Sequence, residues 1–226
     1  MLAFISKTAD GKIIHELEAN GFTVSPLPPH PSLDEPVNTH SDMLLLVVGN
    51  TVFTHNEYFI PSLAKRETII IPETLGNKYP NDILLNIAIV GKHVFANIKH
   101  ASKSVLDHLS RLGLEIHGVS QGYAHCSTCI ISDNAAITAD EGIAVAMRNV
   151  GIDVLLIEKG YISLPPYEYG FIGGTSGTTN DTVFFCGSLS YHPDGEKIKQ
   201  FITKHGKNIC ELSDAPLCDV GGITFI

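Results

Sequence analysis

Asp42, Asp82, Cys126, the pair Gly173 and Gly174, and Asp219 fall at equivalent places in a repeated pattern, each at the start of the first strand of its copy. Ionised carboxylates only accept hydrogen bonds, so several gathered at one point suit a planar cation with many N–H donors. A cysteine becomes a good nucleophile where a cationic neighbour favours its thiolate. His40, two residues before Asp42, adds a group that can carry protons near neutral pH.

Other short motifs point to chemistry less directly. Cys126 and Cys129 spell C-x-x-C, but residues three apart on a strand face opposite sides, and no helix follows at once to lower a thiol pKa. A zinc site would need a second such pair or a matched pair of histidines, although His125 beside Cys126 keeps a metal alternative open. GFIGGTSG from Gly170 lacks the Lys-Ser/Thr ending of a phosphate loop and leads into a strand, so it reads as a tight loop. Glycines there would let backbone N–H groups approach a ligand, and Ser176 could add a hydroxyl. His192 in YHPD reads as a capping or surface residue, and His100, His108, His117 and His205 as surface residues without an evident partner. No Ser-His-Asp spacing stands out, and no cofactor motif or metal ligand set is assigned.

The elements that must position these residues show best between His125 and Ile157. Cys129–Ile131 is a short apolar run, Asp133 and Asn134 supply a turn, and Ala135–Thr138 closes a hairpin. A helix capped by Thr138 or Asp140 follows, with Ile143, Ala144, Met147 and Val150 on one face. Gly151 ends it, and Val154–Ile157 reads as a buried strand.

The same strand-strand-helix-strand pattern recurs along the chain, over about residues 38–73, 79–119, 123–157 and 168–212. In the second unit Gly49 and Asn50 make the turn and Pro61 interrupts a short, weak helix. In the third, Ser102 or Ser104 caps a helix that Gly113 ends, and in the last a helix runs from about Pro193 to His205. Residues 218–226 supply only a first strand, and residues 1–27 only a second strand, helix and third strand. Together they make a fifth unit, which requires Met1–Ser6 to pair with Gly221–Ile226. Five such units closing into a ring predict one α/β domain over residues 1–226.

Composition narrows the partners. A 44% hydrophobic chain of 226 residues can bury a sizeable core. No apolar run reaches the roughly 18 residues of a membrane span, and Met1–Ser6 lacks the features of a secretory signal, so the expectation is cytoplasmic. Five cysteines read as reduced thiols. A formal charge of −9 argues against a nucleic-acid or anionic membrane surface and leaves room for a small cationic ligand. Nothing in the sequence sets an oligomeric state.

The repeat architecture resembles the pentein fold, the five-bladed α/β propeller of guanidine-modifying enzymes such as arginine deiminases and dimethylarginine hydrolases, and of a ribosome-binding initiation factor. QGYAHCSTCIISDNAAITADEGIA, YGFIGGTSG and LCDVGGI are similar to a bacterial branch of that superfamily without an assigned activity. The resemblance implies a central pocket in which carboxylates hold a guanidinium, a thiolate attacks its carbon and a histidine moves protons. His40 and Asp42 in HSDM resemble the family's His-x-Asp, acid/base and substrate contact respectively, and Asp82 resembles its substrate-binding aspartate. The chain departs from the family at its end, where GGITFI puts Thr224 and Phe225 in place of a histidine and a cysteine. Cys218 and Cys126 are the possible substitutes, and the repeat register favours Cys126. The resulting expectation is a hydrolase or amidino-group-modifying enzyme in which Asp42, Asp82 and Asp219 bind a small guanidino-type cation, with Gly173 and Gly174 at the rim. The alternative is a binding protein that keeps the ring without the usual nucleophile.

Overall fold

A computed structural model describes every residue except Glu57, Phe59, Ala64 and Lys65. In chain order the elements are β1 (Leu2–Ser6), α1 (Gly11–Ala19), β2 (Thr23–Leu27), a single helical turn α2 (Ser41–Leu44), β3 (Leu45–Val48), β4 (Thr51–Thr54) and β5 (Glu67–Ile70). There follow β6 (Ala88–Val90), β7 (His93–Ala96), α3 (Lys103–Arg111), β8 (Glu115–Gly118), β9 (Thr128–Ser132), β10 (Ala135–Thr138), α4 (Glu141–Arg148) and β11 (Asp153–Leu156). The last are β12 (Ser176–Thr178), β13 (Thr182–Phe185), α5 (Gly195–Lys204), β14 (Asn208–Glu211) and β15 (Thr224–Phe225).

Among the described residues the strands form five three-stranded sheets with one plan: a hairpin, then a third strand parallel to the hairpin's second. The plan follows from local sequence. In α4 the Asp140 carboxylate accepts the Ile143 N–H at 2.8 Å, Ile143, Ala144 and Met147 are buried, and Gly151 at φ +86° turns the chain back into β11. In α3 Ser102 caps Val105 at 3.2 Å and Val105 and Leu109 face inward. The fifth sheet joins the two ends of the chain: β15 runs antiparallel to β1, with Ala3 opposite Phe225 and Phe4 opposite Thr224, and Leu2 and Ile226 exchange backbone bonds at 2.8 and 2.9 Å.

Apolar faces pack between successive sheets. Ala88, Val90 and Phe95 meet Ala136, Ile143 and Met147; Cys129, Ile131 and Ile137 meet Val183, Phe185 and Ile198; Ala3, Ile5 and Leu17 meet Phe184, Cys186 and Ile223. Each fully buried large side chain contributes about 1.5–3 kcal/mol. Among the described residues no helix is long and apolar enough to cross a membrane.

Four local expectations meet a different outcome. Between β4 and β5 the described residues hold only a 3-10 turn, Pro61–Leu63, and the rest of the weak helix expected there touches the undescribed residues. Pro193 precedes α5 rather than opening it, because the backbone folds over His192: the ring Nδ1 accepts the Asp194 N–H at 3.0 Å, and Nε2 donates to the Glu158 carbonyl at 3.1 Å. His192 therefore caps the entry to α5, one of its two readings, and is buried rather than at the surface. His117 and His205 also have partners, in His93 and Asp153.

Candidate functional site

The loops that enter the first strands of successive sheets meet around His40, Asp42, Cys126 and Asp219. α2 carries Asp42 one turn ahead of β3, so this aspartate sits in a helical turn and not at a strand start as its sequence suggested. The turn is tied to the chain end: the Asp42 N–H donates to the Gly221 carbonyl at 3.1 Å and the Ser41 hydroxyl to the same oxygen at 2.9 Å. Asp219 organises its own loop by accepting the Phe171 N–H at 2.8 Å and the Gly221 N–H at 2.9 Å, one on each carboxylate oxygen. Gly221 adopts φ +77°, and any side chain there would overlap His40.

Gly173 and Gly174 serve this packing. A Cβ on Gly174 would overlap the Asp219 carboxylate, and one on Gly173 would run into the carbonyls of His125, Cys126 and Thr128. The amide of Gly174 is spent on the Cys126 carbonyl at 3.1 Å, and the Ser176 hydroxyl turns to the Gly173 carbonyl at 3.3 Å. The expectation that these groups reach for a ligand is corrected for Gly174 and Ser176, whose donors are used within the loop.

Asn86 holds the centre together. Its side-chain oxygen accepts the N–H groups of His125 and Cys126 at 2.8 and 3.1 Å, and its amide nitrogen donates to the Cys126 sulfur at 2.8 Å and approaches the Asp42 carbonyl at 3.3 Å. Sequence reasoning passed over this residue, yet its register was readable. Asn86, Cys126 and Gly174 each stand two residues before the first strand of their sheets.

The electrostatics are those of buried acids. Asp42, Asp219 and Cys126 are almost wholly excluded from solvent. Burial, reinforced by the Asp219 charge, pushes the Asp42 carboxyl up to about 7, and burial raises Asp219 although His40 opposes it. The Cys126 thiol is pushed up by burial and then by both carboxylates, against the Asn86 donor. His40, with Nδ1 3.7 Å from Asp219, is held below its usual value by burial, which outweighs that neighbour. Neither oxygen of Asp42 has a hydrogen-bond partner among the described residues. At rest the pocket thus holds a protonated thiol and a neutral imidazole beside carboxyl groups that lack a cation.

Asp82 stands to one side. One oxygen accepts the Tyr123 hydroxyl at 2.8 Å, the other has no partner among the described residues, and burial raises its pKa. Tyr123 thus lies near both Asp82 and Cys126, with its ring stacked on Phe171 at 6.0 Å. Cys218 does not join the group: its sulfur faces the Asp219 carbonyl at 3.9 Å and its neighbour is Cys186. Thr224 donates to Ser41 at 3.0 Å and the Phe225 ring packs on Phe22 at 4.7 Å, so both positions serve the β15 edge. A cavity of about 450 Å³ opens beside the site, with Ser41, Asp42, His125, Gly173 and Ser176 among its walls. The burial of His125 lowers its pKa to about 4. Its ring is not part of any three-ligand metal cluster with Cys126 and Cys129 among the described residues, and all five cysteines are free.

Solved structures with a similar fold include a dimethylarginine hydrolase, an amidinotransferase and an agmatine deiminase. Dimethylarginine dimethylaminohydrolase from Pseudomonas aeruginosa, complexed with citrulline, superposes with a TM-score of 0.57 at 11% identity over 94% of this chain and 91% of that one. The amidinotransferase SxtG from Microseira wollei gives 0.55 at 12% identity over 94% and 77%, and the agmatine deiminase of C. jejuni 0.55 at 11% over 96% and 90%. These are pentein superfamily members, and this chain has the pentein fold. The chain belongs to the family described as "Family of unknown function (DUF6873)", which matches residues 4–224. Curated protein sequences provide no match.

Proposed function

We propose that residues 1–226 form one five-bladed α/β propeller whose central pocket binds a small cationic compound of the guanidino type. The observation that carries this reading is the Asp42 carboxylate, buried with both oxygens unpartnered beside the equally buried Asp219. Two acids held out of water are costly unless a cation joins them. Among the described residues no lysine or arginine pairs with Asp42, Asp82 or Asp219. A guanidinium offers N–H donors in a plane, which matches the open acceptors of Asp42 and the free oxygen of Asp82.

A catalytic reading stands second, supported by Cys126 lying against Asp42 with the Asn86 amide on its sulfur. A bound cation would lower the thiol pKa that the empty pocket raises. The thiolate sulfur would then add to the guanidino carbon, and the C–N bond would break as the leaving amine takes a proton through His40. Water or a second amine would next displace the sulfur, giving hydrolase or amidinotransferase chemistry. The binding reading ranks first because the hydrogen-bond partner of the Cys126 sulfur is Asn86, and His40 pairs with Asp219 instead.

The test is calorimetric titration at pH 6 with arginine, agmatine and dimethylarginine in buffers of differing ionisation heat. Binding should release protons, because the cation ionises Asp42. No heat with any of the compounds would overturn the binding reading. A mass increment on Cys126 after quenching, absent in Cys126→Ser, would establish the catalytic one.

A further inference from the structure

Far along the β6–β7–β8 sheet, at the hairpin end opposite Asn86, three ligand-type side chains converge. His93 opens β7 beside the Gly91–Lys92 turn, and Glu115 is its partner on the parallel strand β8. His117 lies two residues further along β8 and so on the same face. His93 Nδ1 is 3.0 Å from His117 Nε2 and 3.3 Å from a Glu115 oxygen, and the three donor atoms lie within 4.8 Å of one another.

We propose that His93, Glu115 and His117 form a binding site for a divalent transition ion of the zinc type, with a fourth position open to water. Tetrahedral zinc with ligand bonds of about 2.0–2.1 Å needs donor atoms roughly 3.3 Å apart, close to the two separations found. Two imidazoles and a carboxylate are a donor set suited to zinc. The surroundings hold the ligands in place. Lys92 takes the other Glu115 oxygen at 2.6 Å, leaving the oxygen that faces His93, and the His117 ring stacks on Phe95 at 5.1 Å. Facing ring nitrogens at 3.0 Å must share one proton in the empty site, and a cation replaces it. Glu115 is half exposed, so an ion has a route in. The ion would clip β7 to β8 across the crossover through α3, independently of the acidic pocket.

The test is zinc binding to the metal-stripped chain by calorimetry, with Co²⁺ absorption as the spectroscopic probe. One equivalent of zinc should bind, and a tetrahedral Co²⁺ spectrum should appear without a sulfur charge-transfer band. His117→Gln and Glu115→Gln should each weaken zinc binding by at least about 100-fold, more than an outer partner costs. Both sites are partly exposed, and circular dichroism reports whether each variant folds. Because His93 packs more deeply, its variant is not relied on. Failure to bind zinc, binding unchanged in both folded variants, or a thiolate-to-cobalt band would overturn the assignment.

Discussion

Two aspartates at the starts of helices meet opposite fates. Asp140 precedes α4, and its carboxylate takes the Ile143 N–H at 2.8 Å and the Gln121 amide at 3.1 Å. Asp42 lies within the single turn of α2, where its backbone is bonded to Gly221 while its carboxylate is buried and unpartnered. The first contributes to folding through a local bond. The second opposes folding in the empty protein, which is the pattern expected of a group retained for a ligand. Asp219 lies between these extremes: it is as buried as Asp42 yet organises two backbone amides.

The largest effect should come from Asp42→Asn. Loss of one member of a buried charge pair costs about 2–5 kcal/mol, so guanidino binding should weaken by roughly 30-fold or more in calorimetry. The same variant should stabilise the empty protein at pH 8. Asp42 is raised to about 7, whereas an unfolded aspartate titrates near about 3.9. The folded chain therefore holds a proton that the unfolded chain has released, and stability from this group falls as pH rises from about 4 to 7. Thermal melts of wild type and variant should converge at pH 4 and separate in the variant's favour at pH 8. Convergence at every pH would erase the contrast with Asp140.

The identical change at Asp219 should have the opposite sign. Asparagine there turns an NH₂ group toward the Phe171 or Gly221 N–H, and the variant should lose about 1–3 kcal/mol in urea unfolding at pH 8. A stabilised Asp219→Asn would make the two central acids alike. Gly174→Ala, whose Cβ would overlap the Asp219 carboxylate, should lose about 1–3 kcal/mol in the same assay. The smallest effect belongs to Asp140→Ala: about 1 kcal/mol of stability from the lost cap, with guanidino affinity unchanged. A change of affinity there would show that the outer helices are coupled to the centre.

Much of the fold was legible because its signals are local. The Asp133–Asn134 turn, the apolar face of Ile143, Ala144 and Met147 and the stop at Gly151 depend on neighbours a few residues apart, and the structure places the β9–β10 hairpin, α4 and β11 there. The pairing of β1 with β15 was readable for the same reason, since each terminus carries an incomplete unit of that pattern. The region around Pro61 was harder, its helix signal being weak, and the burial of His192 was missed because the Glu158 carbonyl that it bonds lies 34 residues away.

The candidate site divides along the same line. By itself the sequence determined the repeat, and the register drew attention to the loops before the first strands, where it named Asp42, Asp82, Cys126, Gly173, Gly174 and Asp219; Asn86, not Asp82, stands where Cys126 does, two residues ahead of its strand. Only the tertiary structure decided what those residues experience. Asn86 bridges Cys126 and Asp42, Tyr123 takes up Asp82, His40 faces Asp219, and the glycines at 174 and 221 let the loops close. The His93–Glu115–His117 cluster likewise exists only once β7 and β8 lie side by side. Burial, charge coupling and ligand geometry depend on distances between segments remote in sequence, and those distances are set by how the sheets pack.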